Sequence, residues 1–160
     1  MSREDVSSYA ESLRRSGKRV VFTNGVYDLL HPGHVRYLQE ARSLGDSLIV
    51  GVNADSSVRR NKGPRRPITP QQERAELVAS LAAVDAVVLF AEETPAEIIQ
   101  AVQPDVLVKG ADWPADQIVG RDTVEARGGR VVRMAVEPGY STTDLLARVR
   151  ALPGPSSSGS

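Results

Sequence analysis

The chain has 160 residues, no cysteine and a formal net charge of +0, because 20 basic residues balance 20 acidic ones. This composition excludes a disulfide framework and thiolate metal ligands, and it disfavours a nucleic-acid binder, which usually carries a basic surface. The hydrophobic share of 41% and the charged share of 25% are ordinary for a soluble globular domain.

We expect no signal peptide at the start of the chain. Residues 1–5 are polar and lack the apolar core of a signal peptide. No apolar run approaches the roughly 18 residues that span a bilayer. We therefore expect a cytoplasmic protein that spans no membrane. We expect one domain over residues 1–152 and a disordered tail of Pro, Gly and Ser over 153–160.

Predicted strands alternate with predicted helices almost throughout the chain. The apolar runs predict strands over 19–23, 47–52, 86–90, 106–108 and 130–134. Helical spacing predicts helices over 5–15, 31–45, from 55, over 69–81, from 94, over 119–127 and from 141 to 150. This alternation is typical of an α/β, Rossmann-like fold with a doubly wound sheet of five parallel strands.

Helix ends are predicted from residues with known preferences. Gly45 is expected to cap the end of the second helix. Thr69 is expected to cap the next long helix, with Pro70 in its first turn. Thr94 and Glu97 have the spacing of a capping box.

The two histidines of the chain lie three residues apart, where the first strand turns into a helix. The segment reads Thr23-Asn24-Gly25-Val26-Tyr27-Asp28-Leu29-Leu30-His31-Pro32-Gly33-His34. In an open α/β sheet this position favours a phosphate-bearing ligand, because a helix N-terminus offers free N–H groups and a positive dipole. Pro32 suits the first helical turn, and Gly33 lets phosphate oxygens approach the backbone.

Two other roles remain open for these histidines. They could cap the helix or pack beside the core. A zinc site is disfavoured, because it needs a third protein ligand and the chain has no further histidine or cysteine to supply it.

Three further segments carry groups suited to anions and hydroxyls. Lys62 lies in a basic loop rich in Gly and Pro, where a mobile cation can follow a phosphate, although a solvated loop would look the same. Asp55 and Asp112 follow predicted strands, where they could bind Mg²⁺ or sugar hydroxyls or could cap helices. A run of hydroxyl residues, 141–143, opens the last helix as a second anion cradle or a plain N-cap.

Taken together, the ordered motifs resemble the nucleotidyltransferase superfamily with the His-x-Gly-His signature. The resemblance is closest to heptose 1-phosphate adenylyltransferases, familiar as the C-terminal half of a bifunctional kinase/adenylyltransferase, and it runs from about Arg19 to Arg150. The motifs that carry it are Phe22-Thr23-Asn24-Gly25, Asp28 to Val35, Val52-Asn53-x-Asp55, Lys62-Gly63-Pro64-x-Arg66-Pro67, Leu107-Val108-Lys109-Gly110-x-Asp112 and Ser141-Thr142-Thr143.

The resemblance implies an enzyme that converts ATP and D-glycero-D-manno-heptose 1-phosphate to ADP-heptose and pyrophosphate for lipopolysaccharide or surface polysaccharide synthesis. It implies ATP as co-substrate with Mg²⁺, small-molecule partners without nucleic acid or membrane, and a homo-oligomer, with a dimer favoured. Since no kinase half accompanies these motifs, we expect a stand-alone adenylyltransferase.

The resemblance also assigns roles residue by residue. It implies phosphate and transition-state contacts for His31, His34 and Lys62, and no protein ligand set for a metal. It implies nucleotide contacts for Thr23, Asn24, Gly25, Gly33, Arg74, Lys109, Gly110, Asp112, Ser141, Thr142 and Thr143, and substrate contacts for Asp28, Asn53 and Asp55.

Several of these assignments have alternatives. Arg74 could instead form a surface salt bridge with Glu73 or Glu76, and Asp28 could hold its loop by hydrogen bonds. The roles of Arg65, Arg66 and Trp113 remain open.

Two other functions compete with the adenylyltransferase. A cytidylyltransferase acting on glycerol 3-phosphate or a similar polyol phosphate would have a similar site. A non-catalytic nucleotide-binding module is disfavoured, because the candidate phosphate ligands are all present. A dehydrogenase is disfavoured because no Gly-x-Gly-x-x-Gly follows the first strand.

Overall fold

A five-stranded parallel sheet forms the centre of the molecule. The computed structural model describes residues 1–135 and 139–155. The strands are β1 (Val20–Gly25), β2 (Ser47–Asn53), β3 (Ala86–Phe90), β4 (Val106–Gly110) and β5 (Arg130–Met134). The helices are α1 (Arg3–Arg15), α2 (Pro32–Arg42), α3 (Asp55–Lys62), α4 (Gln71–Ala79), α5 (Ala96–Val102), α6 (Arg121–Ala126) and α7 (Thr142–Ala151), with a 3₁₀ turn over Ala115–Gln117. The predicted α/β fold is confirmed.

Apolar clusters cover both faces of the sheet. Consecutive strand residues point to opposite faces, so neighbouring residues are buried in different clusters. Phe22 packs into one apolar cluster with residues of α1, α5 and α6, such as Val6 and Ile99. Its neighbour Val21 packs into a second cluster with Leu38 of α2. The strands therefore need apolar residues in continuous runs, which is the pattern that the sequence shows.

The order of the strands places a crevice beside β1. The order is β3-β2-β1-β4-β5, so the chain moves outward in one direction from β1 to β3 and in the other from β4 to β5. β1 pairs with β2 along its whole length, but with β4 only through Val21–Val106 and Phe22–Leu107. Ligands of such sheets bind outside the carboxyl ends of the strands at this reversal.

Two predicted helix caps are wrong, and each residue makes another contact. The C-cap of α2 is Ser43, while Gly45 packs so closely on β1 that a Cβ there would lie 2.7 Å from Val21. The N-cap of α4 is Pro70 and makes no side-chain cap. The backbone N–H of Thr69 instead donates to Asp28 at 2.9 Å.

The predicted capping box at the start of α5 is also wrong. The N-cap is Pro95, which forms no side-chain cap. The carboxylate of Glu97, which a capping box would direct to the backbone of Thr94, instead lies 3.4 Å from Arg3 of α1.

The remaining differences concern where elements begin and end. β1 and β4 each extend two residues further than predicted, to Gly25 and Gly110. The predicted helix over 119–127 is the shorter α6, preceded by the 3₁₀ turn. Of the predicted tail, residues 153–155 have no regular structure and residues 156–160 lie outside the described part of the chain. In the described residues, no helix has the length and apolar character needed to cross a membrane.

Candidate active site

A cavity of about 420 Å³ opens at the carboxyl ends of β1 and β4. Its walls come from the β1–α2 segment, the first turns of α2, the end of α3, the segment after β4, and the start of α7. Predicted site residues in the wall are Asn24, Gly25, Asp28, His31, Gly33, His34, Lys62, Gly110, Asp112, Ser141, Thr142 and Thr143. The cavity therefore brings together segments that are more than a hundred residues apart in the chain.

The two histidines lie face to face at the N-terminus of α2. His31 is the N-cap in extended conformation, and Pro32 is the first helical residue. The imidazole rings stack with their centroids 3.8 Å apart and their planes 23° from parallel. The backbone N–H of His31 donates to His34 Nδ1 at 3.4 Å. Since Nδ1 accepts, the proton of the neutral His34 ring is assigned to Nε2.

Both imidazoles are held in the neutral form. Burial, reinforced by the neighbouring His31, lowers the pKa of His34 to about 4. Burial also lowers the pKa of His31, against the opposing effect of the Asp144 carboxylate. Neutral rings can donate N–H hydrogen bonds to phosphate oxygens without a change in protonation, as a preorganised polar site requires.

Gly33 is needed for the close packing of this corner. A Cβ built on Gly33 would lie 2.7 Å from the Cβ of Tyr140 and 2.9 Å from His31 Nδ1. Any larger residue would push apart the start of α2 and the segment before α7. Gly33 thus serves the approach of two protein segments as well as the predicted approach of a ligand.

Asp28 holds the basic loop against the β1–α2 segment. Its side chain is 1% exposed and accepts from Arg66 Nε at 2.7 Å. It also accepts from the backbone N–H groups of Ile68 and Thr69 at 2.9 Å. Burial alone would raise the pKa of the Asp28 carboxyl, but these hydrogen bonds and the Arg66 charge together lower it. The carboxylate is therefore engaged with the protein, as the loop-holding alternative predicted.

Lys62 is the last residue of α3 and lies in the cavity wall. Its side chain is exposed, and Gly63 caps the helix with φ of 97°, a conformation that glycine adopts freely. The chain then passes through the segment that Asp28 fixes. Lys62 thus lies at the start of a short segment that runs from the end of α3 to the residues bound by Asp28.

Lys109 and Asn24 join the two strands that border the crevice. Lys109 Nζ donates to Asn24 Oδ1. Burial lowers the pKa of Lys109 to about 8. Thr23, which is fully buried, donates from Oγ1 to the Val108 carbonyl at 3.0 Å. Thr23 and Lys109 therefore lie beneath the cavity wall, whereas Asn24 is part of it.

A second polar helix start faces the histidines. Ser141 is the N-cap of α7, and its Oγ accepts from the backbone N–H of Asp144 at 2.9 Å. Thr142 and Thr143 follow in the first turn and line the cavity. Ser141 is therefore an N-cap that also lies in the cavity wall, and the anion contact of this segment stays a prediction.

Comparisons with known proteins place the chain in a family. A family model described as cytidylyltransferase-like matches residues 22–148. The chain belongs to the cytidylyltransferase-like family. The prediction of a nucleotidyltransferase fold with a His-x-Gly-His segment is thereby confirmed at the level of the family.

Named relatives cover nearly the whole chain. The Bifunctional protein HldE of Syntrophotalea carbinolica is 52% identical over 147 residues, which is 92% of this chain and 30% of the relative. The Bifunctional protein HldE of Acidiphilium cryptum is 52% identical over 94% of this chain and 31% of its own length. The chain thus spans about a third of the length of these relatives.

A solved structure shares the fold of this chain. The lipopolysaccharide core biosynthesis protein of Thermoplasma volcanium is 32% identical, with a TM-score of 0.63, over 76% of this chain and 98% of that one.

Besides Thr23 and Lys109, three predicted ligand residues are not part of the cavity wall. Arg74 is fully buried and donates to the carbonyls of Thr69, Val26 and Asn53 and, at 2.8 Å, to Asp55 Oδ1. The ion pair of Arg74 is with Asp55, and not with Glu73 or Glu76 as the alternative predicted, while its contact with a nucleotide stays a prediction. Asn53 and Asp55 are predicted to contact substrate; here Asp55 Oδ1 and the backbone carbonyl of Asn53 accept from Arg74, and the Asn53 side chain donates to Ser57 Oγ at 3.2 Å.

Several wall residues were missed or left open by the sequence interpretation. Those on α2 are Arg36, Tyr37 and Glu40, and the others include Arg66, Trp113 and Tyr140. The α2 residues lie three, four and seven positions after Gly33, which is the spacing of one helical face. That spacing was the signal that could have found them.

Proposed function

We propose that this protein transfers a nucleotidyl group from a nucleoside triphosphate to a sugar 1-phosphate, with ATP and a heptose 1-phosphate as its substrates. The observation that carries the proposal is the pair of neutral, stacked imidazoles of His31 and His34, which face the hydroxyl-rich start of α7 across one cavity. Family membership and the HldE relatives support it. The sequence resemblance to heptose 1-phosphate adenylyltransferases supplies the choice of substrates.

The reaction needs positioning more than acid–base chemistry. An oxygen of the sugar phosphate attacks the α-phosphorus of ATP in line, the new P–O bond forms, and the bond to the β-phosphate oxygen breaks to release pyrophosphate. A phosphate monoester is already a competent nucleophile at neutral pH. The protein therefore has to align the two phosphates and stabilise charge on the α-phosphoryl oxygens.

The residues of the cavity divide this task between them. His34 donates from Nε2 to an α-phosphoryl oxygen, and the backbone N–H groups at the start of α2 add to it. The first turn of α7 receives the leaving pyrophosphate through its free N–H groups and the hydroxyls of Thr142 and Thr143. Lys62 supplies a mobile positive charge for the same phosphates.

Mg²⁺ fits the donors of this cavity. Among the described residues no cluster of three or more His, Cys, Asp or Glu side chains could hold a metal by itself. Mg²⁺ in such sites is held by one or two carboxylates together with substrate phosphates. Asp112 and Glu40 are the exposed carboxylates of the wall that would hold it. When bound, Mg²⁺ neutralises charge on the triphosphate.

Pyrophosphate release tests the proposal directly. ATP, CTP and GTP are each combined with heptose 1-phosphates and with glycerol 3-phosphate. We expect release with ATP and a heptose 1-phosphate. No release with that pair would refute the proposed substrates, and release with CTP and glycerol 3-phosphate would establish the cytidylyltransferase alternative.

A variant of His34 separates catalysis from binding. His34→Ala should lower kcat about 10²- to 10³-fold while changing nucleotide affinity far less, because a preorganised donor contributes most in the transition state. Equal losses in kcat and affinity would mean that His34 serves only ground-state binding.

A further inference from the structure

The start of α7 has little packing of its own. None of the ten α7 residues, all of which the structure describes, is buried. The residues that line the cavity are nevertheless the first ones of this helix, together with its N-cap. A helix with no fully buried residue needs another contact to fix the position of its first turn.

Tyr140 supplies such a contact immediately before the N-cap. Its ring stacks on the His31 imidazole, with centroids 6.1 Å apart and planes 21° from parallel. On α2, the guanidinium carbon of Arg36 lies 5.3 Å from the centroid of the Tyr140 ring. The Tyr140 Cβ packs so close to Gly33 that no side chain fits there.

These contacts form one continuous stack. It runs from Arg36 through Tyr140 and His31 to His34, whose ring also lies 5.3 Å from that of Tyr27. Aromatic pairs and cation–π contacts of this kind favour a fixed arrangement of the rings. The stack joins the two polar helix starts that face each other across the cavity.

We propose that Tyr140 is a positioning residue, whose ring, in contact with Arg36 and His31, fixes the first turn of α7 next to the histidine pair. The ring face carries this role, and the phenolic hydroxyl does not. The kinetic part of the proposal rests on the proposed function, whereas the structural part does not.

Substitutions that keep or remove the ring test the role. Tyr140→Phe keeps both faces of the ring, and Tyr140→Leu removes them but keeps an apolar side chain. Tyr9→Leu is the matched control, because Tyr9 lies on α1 and bonds Ser47 Oγ at the other end of the sheet. Urea unfolding of each variant first establishes that it is folded.

Two readouts are needed. The first is amide hydrogen exchange at Asp144, whose N–H donates to Ser141 Oγ, and at Leu145, whose N–H donates to the Ser141 carbonyl. The second is kcat/KM for the nucleotide. We expect Tyr140→Leu to speed exchange at both amides and to lower kcat/KM about tenfold or more, Tyr140→Phe to stay within about twofold of the parent, and Tyr9→Leu to change neither.

Three results would overturn the role of Tyr140. One is an equal loss in the Phe and Leu variants, which would assign the function to the hydroxyl. Another is unchanged exchange in Tyr140→Leu, which would mean that α7 is held without the ring. The third is equally fast exchange in Tyr9→Leu, which would make the effect one of general stability. If the parent protein releases no pyrophosphate, the proposed function fails, and the exchange measurement still decides the role of Tyr140.

Discussion

Arg74 Nη2 donates to Asp55 Oδ1 at 2.8 Å, and the two side chains form an ion pair beneath the cavity. The same guanidinium binds three backbone carbonyls, from the β1–α2 segment, the end of β2 and the residue before Pro70. Arg74 thereby ties α4 to the loops that form the floor of the site. The charge of Arg74 is thus paired inside the protein, which gives this residue a structural role.

Arg74→Met should therefore act on stability. Removal of the guanidinium leaves the buried acceptors without a donor, and we expect the free energy of unfolding to fall by about 3–5 kcal/mol, measured by urea denaturation. Arg59→Met, at an exposed position of α3, is the control and should change stability by less than about 0.5 kcal/mol. Unchanged stability with a large loss of nucleotide affinity would contradict the structural role.

Asp28→Asn should release the basic loop and make stability less dependent on pH. At neutral pH we expect a loss of about 2 kcal/mol, because an amide replaces a carboxylate that accepts charge-assisted bonds. The folded pKa of Asp28 is lowered, so its stabilisation is complete above the unfolded pKa of about 3.9 and disappears as pH falls through the folded value. The gap between parent and variant should thus close in acid.

Urea unfolding at several pH values measures this gap. Asp116→Asn, an exposed aspartate of the 3₁₀ turn, is the control and should follow the parent at every pH. A constant gap down to the most acidic pH would count against a charged Asp28. The same variant should raise KM for the triphosphate, because the connection from Lys62 loses its anchor.

His34→Gln should protect the fold from mild acid. The pKa of His34 is lowered to about 4, whereas an unfolded histidine titrates near 6.5. Below about pH 6.5 the unfolded chain binds a proton that the folded protein resists, so unfolding becomes easier as pH falls. Between neutral pH and about pH 4 this linkage costs the parent about 3 kcal/mol.

The difference between parent and variant isolates this effect from the carboxylates, which titrate in both proteins. We expect the parent to lose more stability than His34→Gln over this pH range. Parallel stability curves would mean that His34 titrates normally, and NMR of the two histidines would check the assignment directly.

Lys109→Met should remove a pH dependence of nucleotide binding. The pKa of Lys109 is about 8, so its ammonium is present at neutral pH and is lost as pH rises further. We expect affinity for ATP to fall between about pH 7 and pH 9 in the parent, and to be weaker and independent of pH over this range in the variant. Trp113, the single tryptophan, lines the cavity and offers a fluorescence signal for the titration. A matching decline in Lys109→Met would assign the pH dependence to another group.

The sequence predicted the parts of the structure that depend on local pattern. The continuous apolar runs identified all five strands, and the strand, glycine and proline around His31 identified a helix start suited to phosphate. The helical spacing of Gly33, Arg36, Tyr37 and Glu40 also indicates that they share one face of α2. Pairings between distant segments were not readable, because nothing near Arg74 or Asp28 in the sequence indicates that their partners are Asp55 and Arg66. The contacts of the Thr69 N–H with Asp28 and of the Glu97 carboxylate with Arg3 also join remote elements and could not be predicted from local pattern.

The short pairing of β1 with β4 also affects how the site can change. Past Phe22 and Leu107, the two strands are joined by the side chains of Thr23 and Lys109, which bind the Val108 carbonyl and Asn24. Backbone ladders are the same for every sequence, whereas side-chain bridges change with a single substitution. The width of the crevice therefore depends on a few side chains. Substitutions at these positions can change that width while the hydrogen bonds of the sheet stay intact.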